Sequence, residues 1–129
     1  MVKQFARVGF LIVAWLFVAG AVLQIFLAGL GVFGVPAGDF EAHRSWGYTF
    51  GFLLLVLVVL GLIGRVTRRE LGLCVLLIVL FALQSVLVAV RVEQPAVAAL
   101  HPLNGFAILL VGIYLALGAR RYRRMTSAT

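Results

Sequence analysis

The sequence predicts an all-α membrane protein, a bundle of four transmembrane helices, on three observations. First, 64% of the 129 residues are hydrophobic and 12% are charged, whereas soluble domains have roughly 45–50% apolar and about 25% charged residues. Second, four stretches without charge each reach the roughly 20 residues that cross a bilayer core. Third, the cations stand between these stretches and near the chain ends. The composition excludes a soluble enzyme, and the placement of the cations favours a membrane surface over nucleic acid.

Each helix follows from one charge-free stretch. These stretches lie between Arg7 and Asp39 and at 45–64, 71–90 and 94–119. We therefore expect helices at about 6–34, 41–64, 69–92 and 96–120 in a single domain of residues 1–129. The first apolar run continues to Val35, which is longer than the h-region of a signal peptide, so it predicts a retained anchor helix.

Two prolines affect the fourth helix. It begins at Pro102, or it begins near Pro95 and bends around residues 98–101. The apolar run 96–100 favours the bent helix, because it continues the register of the residues that follow.

The cations predict the orientation of the helices. In a four-span arrangement nine cations fall on one side, and only Arg44 and Arg91 fall on the other. By the positive-inside rule both termini lie in the cytoplasm, and the protein is integral to the cytoplasmic (inner) membrane. The nine are Lys3, Arg7, Arg65, Arg68, Arg69, Arg120, Arg121, Arg123 and Arg124.

Landmarks recur in the same order in the two halves of the chain. This predicts two tandem two-helix repeats related by a pseudo-two-fold axis along the membrane normal. The axis would place the two histidines at equal depth near the outer face, on diagonally related helices, pointing at one another. The matched residues are Gln24 with Gln84, His43 with His101, Gly47 with Gly105, and Gly64-Arg65 with Gly118-Ala119-Arg120.

Two facing imidazoles suit a planar metal macrocycle that is held from both sides. His43 and His101 are the histidines of this chain, and haem b with two axial histidines is the cofactor that we expect. A bare zinc ion needs about four ligands. The single cysteine, Cys74, has no partner, so a zinc site would need Asp39 and Glu41 to join the histidines, an option that stays open.

The glycines and glutamines that accompany the histidines in the sequence each have two interpretations. Gly47 and Gly105 lie one helical turn beyond the histidines and would let a flat ring approach the backbone; the alternative is close helix packing. Gln24 and Gln84 would donate to the cofactor or to a histidine, or they would join helices through amide hydrogen bonds.

The two outer arginines also have two interpretations. Haem propionates would point to the nearer aqueous face, where Arg44 and Arg91 are available as partners. Alternatively, each arginine anchors a helix end among lipid headgroups.

Short motifs resemble haem-binding membrane proteins. They are Glu41-Ala42-His43-Arg44 with Gly47, and Leu100-His101-Pro102 with Asn104-Gly105. At these residues the chain resembles the half-bundles of the haem A synthase family and, more broadly, four-helix membrane cytochromes b. It is also similar to small bacterial four-helix membrane proteins of unknown function. The resemblance implies a bis-histidine haem b at His43 and His101 and a carboxylate role for Glu41.

Two functions are compatible with these features. The first is a haem b membrane protein at the outer face, which carries electrons between quinone and an extracytoplasmic partner or handles haem. With both axial positions filled, an electron carrier or accessory subunit is favoured over a catalyst. The alternative is a non-haem accessory or structural subunit, or a small transporter. A proton-coupled transporter would need an acidic residue inside a span, and we expect all four acidic residues at helix ends or in loops.

Overall fold

The structure, a computed structural model, describes residues 1–35 and 40–124, without the side chain of Arg124. These residues form helices joined by short connections. The helices are α1 (Val2–Val32), α2 (Glu41–Gly64), α3 (Arg68–Ala89), α4 (Pro95–Ala98), α5 (Leu100–Ala119) and α6 (Arg121–Arg124). Compared with the expected bounds, α1 begins four residues earlier and α3 ends three residues earlier.

Four helical segments are long and apolar enough to cross a membrane. They are α1, α2, α3 and the segment from Pro95 to Arg123. At about 1.5 Å per residue, the 22 residues of α3 extend roughly 33 Å, which matches a hydrocarbon core of about 30 Å. Many large apolar side chains on these helices face outward. An exposed apolar surface of this extent is suited to lipid contact, as expected for an integral membrane protein.

The ends of the helices follow from local sequence. α2 ends at Gly64 because Arg65 adopts a left-handed conformation, with φ of 48°. Thr67 then caps α3 in a capping box with Glu70. Between α4 and α5 the helix is interrupted at Ala99. Pro102 explains this interruption, because it has no N–H to donate to the carbonyl four residues earlier and its ring crowds that turn.

The packing order places α2 and α5 on a diagonal. α1 packs against α2 and α5, and α3 packs against the same two helices. The largest fully buried side chains of the described residues fill the core of the bundle: Phe10, Phe17, Leu57, Cys74, Leu77 and Leu115. We call the end where α2 and α5 begin, with His43 and His101, the histidine end. The opposite end, which carries Arg7, Arg65, Arg69 and Arg120, is the basic end.

Candidate functional site

The two histidines lie close together at the histidine end. His43 is the third residue of α2 and His101 the second residue of α5. Although the two helices are diagonal, the ring centroids are 6.2 Å apart and the ring planes are inclined by 66°. Both side chains are half-buried. The structure therefore brings the imidazoles together across the bundle.

A glutamine from the preceding long helix holds each imidazole. His43 Nδ1 lies 3.0 Å from the carbonyl oxygen of Gln24, and His43 Nε2 lies 3.2 Å from the side-chain Nε2 of Gln24. His101 makes the same two contacts with Gln84, at 3.3 and 3.4 Å. Because a carbonyl oxygen only accepts, we assign the proton to Nδ1, and Nε2 accepts from the amide. This neutral tautomer has its lone pair on Nε2, the atom through which a histidine can bind a metal.

A third contact is also matched between the two halves. Three residues after His43, the indole Nε1–H of Trp46 donates to the carbonyl oxygen of Gly20 at 3.0 Å. Three residues after His101, the Nδ2–H of Asn104 donates to the carbonyl oxygen of Leu80 at 2.8 Å. Gly20 and Leu80 each stand four residues before the glutamine of their helix. Both halves therefore use the same positions to join their two helices, although the donor residues differ.

This difference leaves one polar atom without a partner. Asn104 also donates to the side-chain oxygen of Gln84. Trp46 has a single side-chain N–H, which donates to the Gly20 carbonyl, so its side chain has no second donor for the oxygen of Gln24. In the part of the chain that the structure describes, Gln24 Oε1 is buried and accepts no hydrogen bond. A buried unpaired acceptor costs about 1–3 kcal/mol, so an incoming donor would gain free energy by pairing with this atom.

The two glycines make room for the glutamines. A Cβ atom at Gly47 would lie 2.9 Å from Nε2 of Gln24, and one at Gly105 would lie 3.3 Å from Nε2 of Gln84. We expected these glycines to face a flat ring or a packed helix. In the structure the space beside each of them is occupied by the amide that contacts the histidine.

The two outer arginines lie at the rim of the site. Arg44 is exposed and pairs with Glu41, and Arg91 is exposed and donates to the carbonyl oxygen of Val88 at 3.1 Å. Within residues 1–35 and 40–124 neither arginine forms a hydrogen bond with a histidine. Their role as propionate partners stays a prediction.

The donor set contains two strong metal ligands. Among the described residues, no group of three His, Cys, Asp or Glu side chains is placed to hold a metal ion. Asp39, one of the expected additional zinc ligands, lies outside the described residues. Two opposed imidazoles do not complete a tetrahedral zinc site, but they suffice for a metal whose other ligands come from a macrocycle.

Comparison with known families identifies the chain at the family level. Residues 24–90, just over half of the chain, match a family of unknown function (DUF6220). The chain belongs to this family. The DUF6220 match includes Gln24, His43 and Gln84, whereas His101 lies beyond it. No curated protein and no solved structure matches the chain. The match agrees with the resemblance to small membrane proteins of unknown function, and the comparisons give no link to haem A synthases or cytochromes b.

A second polar cluster, at the basic end, was missed by the sequence analysis. Glu70 stands in the first turn of α3, at a helix end as expected, but it is only 3% exposed. Its Oε2 accepts from the Tyr122 hydroxyl at 2.6 Å and from the Thr67 backbone N–H at 2.9 Å, and it forms an ion pair with Arg121 at 2.7 Å. The sequence signal for Thr67 and Glu70 is the capping box. No local signal indicates Tyr122, which is 52 residues away.

Proposed function

We propose that this protein is an integral membrane haem b-binding protein, with His43 and His101 as the two axial ligands near the extracytoplasmic face. The main support for this proposal is the proximity of the two imidazole rings, whose centroids are 6.2 Å apart although they belong to diagonal helices. His43 and His101 would hold the iron between them, and the macrocycle would supply its other ligands. In this proposal the chain consists of two tandem two-helix repeats related by a pseudo-two-fold axis, and both termini lie in the cytoplasm.

The tautomer assigned to the two histidines supports metal binding through Nε2. Each Nδ1 has a backbone carbonyl as its partner, at 3.0 Å for His43 and 3.3 Å for His101. Such a bond fixes the ring orientation and the tautomer, as outer hydrogen bonds do for metal-binding histidines. The Nε2 atoms would exchange the glutamine amides for the metal. Gln24 and Gln84 have flexible side chains, so their amides can turn away while their backbone carbonyls keep hold of the rings.

The rim residues would serve the edge of the cofactor. Arg44 and Arg91 are exposed at the histidine end, where propionate groups would meet water. Gln24 Oε1, which is buried without a partner, is available to a donor. A haem with two histidine ligands supplies one-electron transfer and does not readily bind oxygen. The function that we propose is therefore electron transfer with quinone or an extracytoplasmic redox partner, or haem handling.

The test is the visible spectrum of the purified protein. The protein would be produced with adequate haem supply, purified in detergent, and measured in the oxidised and reduced forms. We expect sharp α and Soret bands on reduction, and at least tenfold less haem per polypeptide in His43→Ala and in His101→Ala. Thr49→Ala is the matched control, because Thr49 is an exposed polar residue of the same helix that bonds only within it, to the Ser45 carbonyl.

Two results would overturn this proposal. One is a colourless wild-type protein that is helical and monodisperse despite haem supply. The other is haem retention in both histidine variants at the wild-type level. Either result would leave the alternative, a non-haem accessory or structural subunit or a small transporter. Circular dichroism of each variant separates loss of the ligand from loss of the fold.

A further inference from the structure

A groove on the outside of the bundle lies between α1 and the end of the last span. It has a volume of about 690 Å³. We call it the Trp15 groove. Its residues are Leu11, Ile12, Trp15 and Leu16 from α1, and Arg120 and Arg123 from the other wall. It thus combines an apolar wall with two cations, and among the residues that the structure describes no carboxylate lines it.

The apolar wall is exposed on the outside of the bundle. Ile12 and Leu16 are four residues apart, so they share one face of α1, and each is 53% exposed. A strip of this kind runs parallel to the helix axis. It therefore offers a surface on which an acyl chain can lie lengthwise.

Arg120 is exposed at the basic end and lies over an aromatic ring. Its guanidinium lies 5.0 Å from the centroid of the Trp15 ring. Gly112 packs against Phe17, and Arg120 follows Gly112 by eight residues, which places its backbone about 12 Å nearer the basic end at 1.5 Å per residue. Trp15 precedes Phe17 by two residues, or about 3 Å. The guanidinium therefore lies nearer to Trp15 than the Arg120 backbone does, because helical side chains lean toward the N-terminus of their own helix, and Arg120 remains exposed.

Other cations at the basic end are committed to protein groups. Arg7 donates to the carbonyl oxygen of Gly64 at 2.8 Å, and Arg121 pairs with Glu70. The guanidinium of Arg69 stacks on Tyr114, at 5.0 Å, on another part of the surface. Arg120 also lies over an aromatic ring, but this ring lines the groove, and among the described residues no carboxylate forms an ion pair with Arg120.

We propose that the Trp15 groove binds one anionic phospholipid from the membrane leaflet at the basic end. Its phosphate would be held by Arg120 and Arg123, and one acyl chain would lie along Ile12 and Leu16. Charge complementarity selects this occupant, because basic pockets between membrane helices bind anionic headgroups while the apolar wall binds the chain. This inference does not depend on haem binding.

The experiment uses tryptophan fluorescence in vesicles. The chain has two tryptophans, and Trp46→Phe leaves Trp15 as the sole reporter. The full-length variant would be placed in phosphatidylcholine vesicles that contain brominated phosphatidylglycerol or brominated phosphatidylcholine, and the quenching would be compared. We expect the anionic lipid to be preferred about fivefold at Trp15. Trp15→Phe, which leaves Trp46 at the histidine end, should give no preference.

The charge variants decide between the groove and the general charge of the protein. In the Trp15 reporter, Arg120→Gln and Arg123→Gln should each remove most of the preference. Arg69→Gln is the matched control, because it removes an equal charge with the same aromatic contact at the same end. The proposal is overturned if Arg69→Gln has the effect of Arg120→Gln, or if both lipids quench equally.

Discussion

The two ends of the bundle carry polar clusters of different kinds. At the histidine end, contacts are matched between the halves, with an offset of 60 residues between α1 and α3 and 58 between α2 and α5. At the basic end, the cluster has one centre, Glu70. The residue 60 positions before Glu70 is Phe10, a fully buried apolar side chain. The histidine end therefore repeats one set of contacts, whereas the basic end joins α3 to the end of the last span through one carboxylate, whose Oε1 is buried without a partner among the described residues.

The largest effect is expected from Glu70→Leu. This change removes the acceptor of the Tyr122 hydroxyl and of the Thr67 N–H and breaks the capping box. We expect the free energy of unfolding to fall by about 3 kcal/mol, measured by denaturant unfolding in detergent. Glu70→Gln keeps an acceptor oxygen and should lose clearly less. Equal stability of Glu70→Leu and the wild type would show that the cluster does not clamp the basic end.

The next largest effect is expected at the histidine end, where variants of Asn104 and Trp46 test the matched hydrogen bonds. Asn104→Leu removes two hydrogen bonds and leaves the Gln84 side-chain oxygen without a donor, while the Leu80 carbonyl keeps its bond within α3. We expect a loss of about 2 kcal/mol, against about 1 kcal/mol for Trp46→Phe, which removes one hydrogen bond and keeps a ring stacked against Phe50. Unfolding measurements on both variants check this order. A larger loss in Trp46→Phe would contradict our account of the unpaired Gln24 oxygen.

Alanine variants of Gly47 and Gly105 test whether the two glycines position the glutamine amides to the same degree. An added Cβ would be 2.9 Å from the amide of Gln24 in Gly47→Ala and 3.3 Å from that of Gln84 in Gly105→Ala. Gly47→Ala should therefore displace its amide and change the imidazole ¹⁵N shifts of His43, with a loss of stability of about 1 kcal/mol or less. Gly105→Ala should change those of His101 less. Identical responses in the ¹⁵N spectra would show that the glycines do not position the amides.

The smallest effect is expected from Arg121→Gln at the basic end. The side chain of Arg121 is 49% exposed, so water and salt screen its ion pair with Glu70, and such pairs contribute about 0–1 kcal/mol. Tyr122→Phe removes a buried hydrogen bond and should cost about 1–2 kcal/mol. Chemical unfolding at low and high salt distinguishes the two. If Arg121→Gln costs more than Tyr122→Phe, the charge and not the hydroxyl holds Glu70.

The sequence predicts the spans well because their determinants are local. Span length and the absence of charge are enough to place four helices, and Pro102 is enough to predict the irregular start of the last span. The matched order of glutamine and histidine also led us to expect two imidazoles facing each other, and the rings are adjacent in the structure. The axis that would relate the halves stays a prediction, as does haem itself.

The lateral contacts were less predictable, because they depend on how each helix is rotated about its axis. Nothing local in the sequence indicates that Glu70 meets Tyr122, or that the glycines accommodate glutamines. Trp46 and Asn104 differ in size and chemistry, so their equivalent hydrogen bonds are visible only in three dimensions.

The join between the halves has one more consequence. Three residues, Arg65 to Thr67, link α2 to α3. The two halves therefore pack together within one chain, and their packing does not require identical contact residues as it would in a symmetric dimer. Two separate identical subunits would present the same residue at the place of Trp46 and Asn104. A single chain does not have this restriction, and here one glutamine amide is secured while the other keeps an unused oxygen. A ligand that binds between the histidines would therefore contact two chemically different surfaces, and it would bind in one preferred orientation.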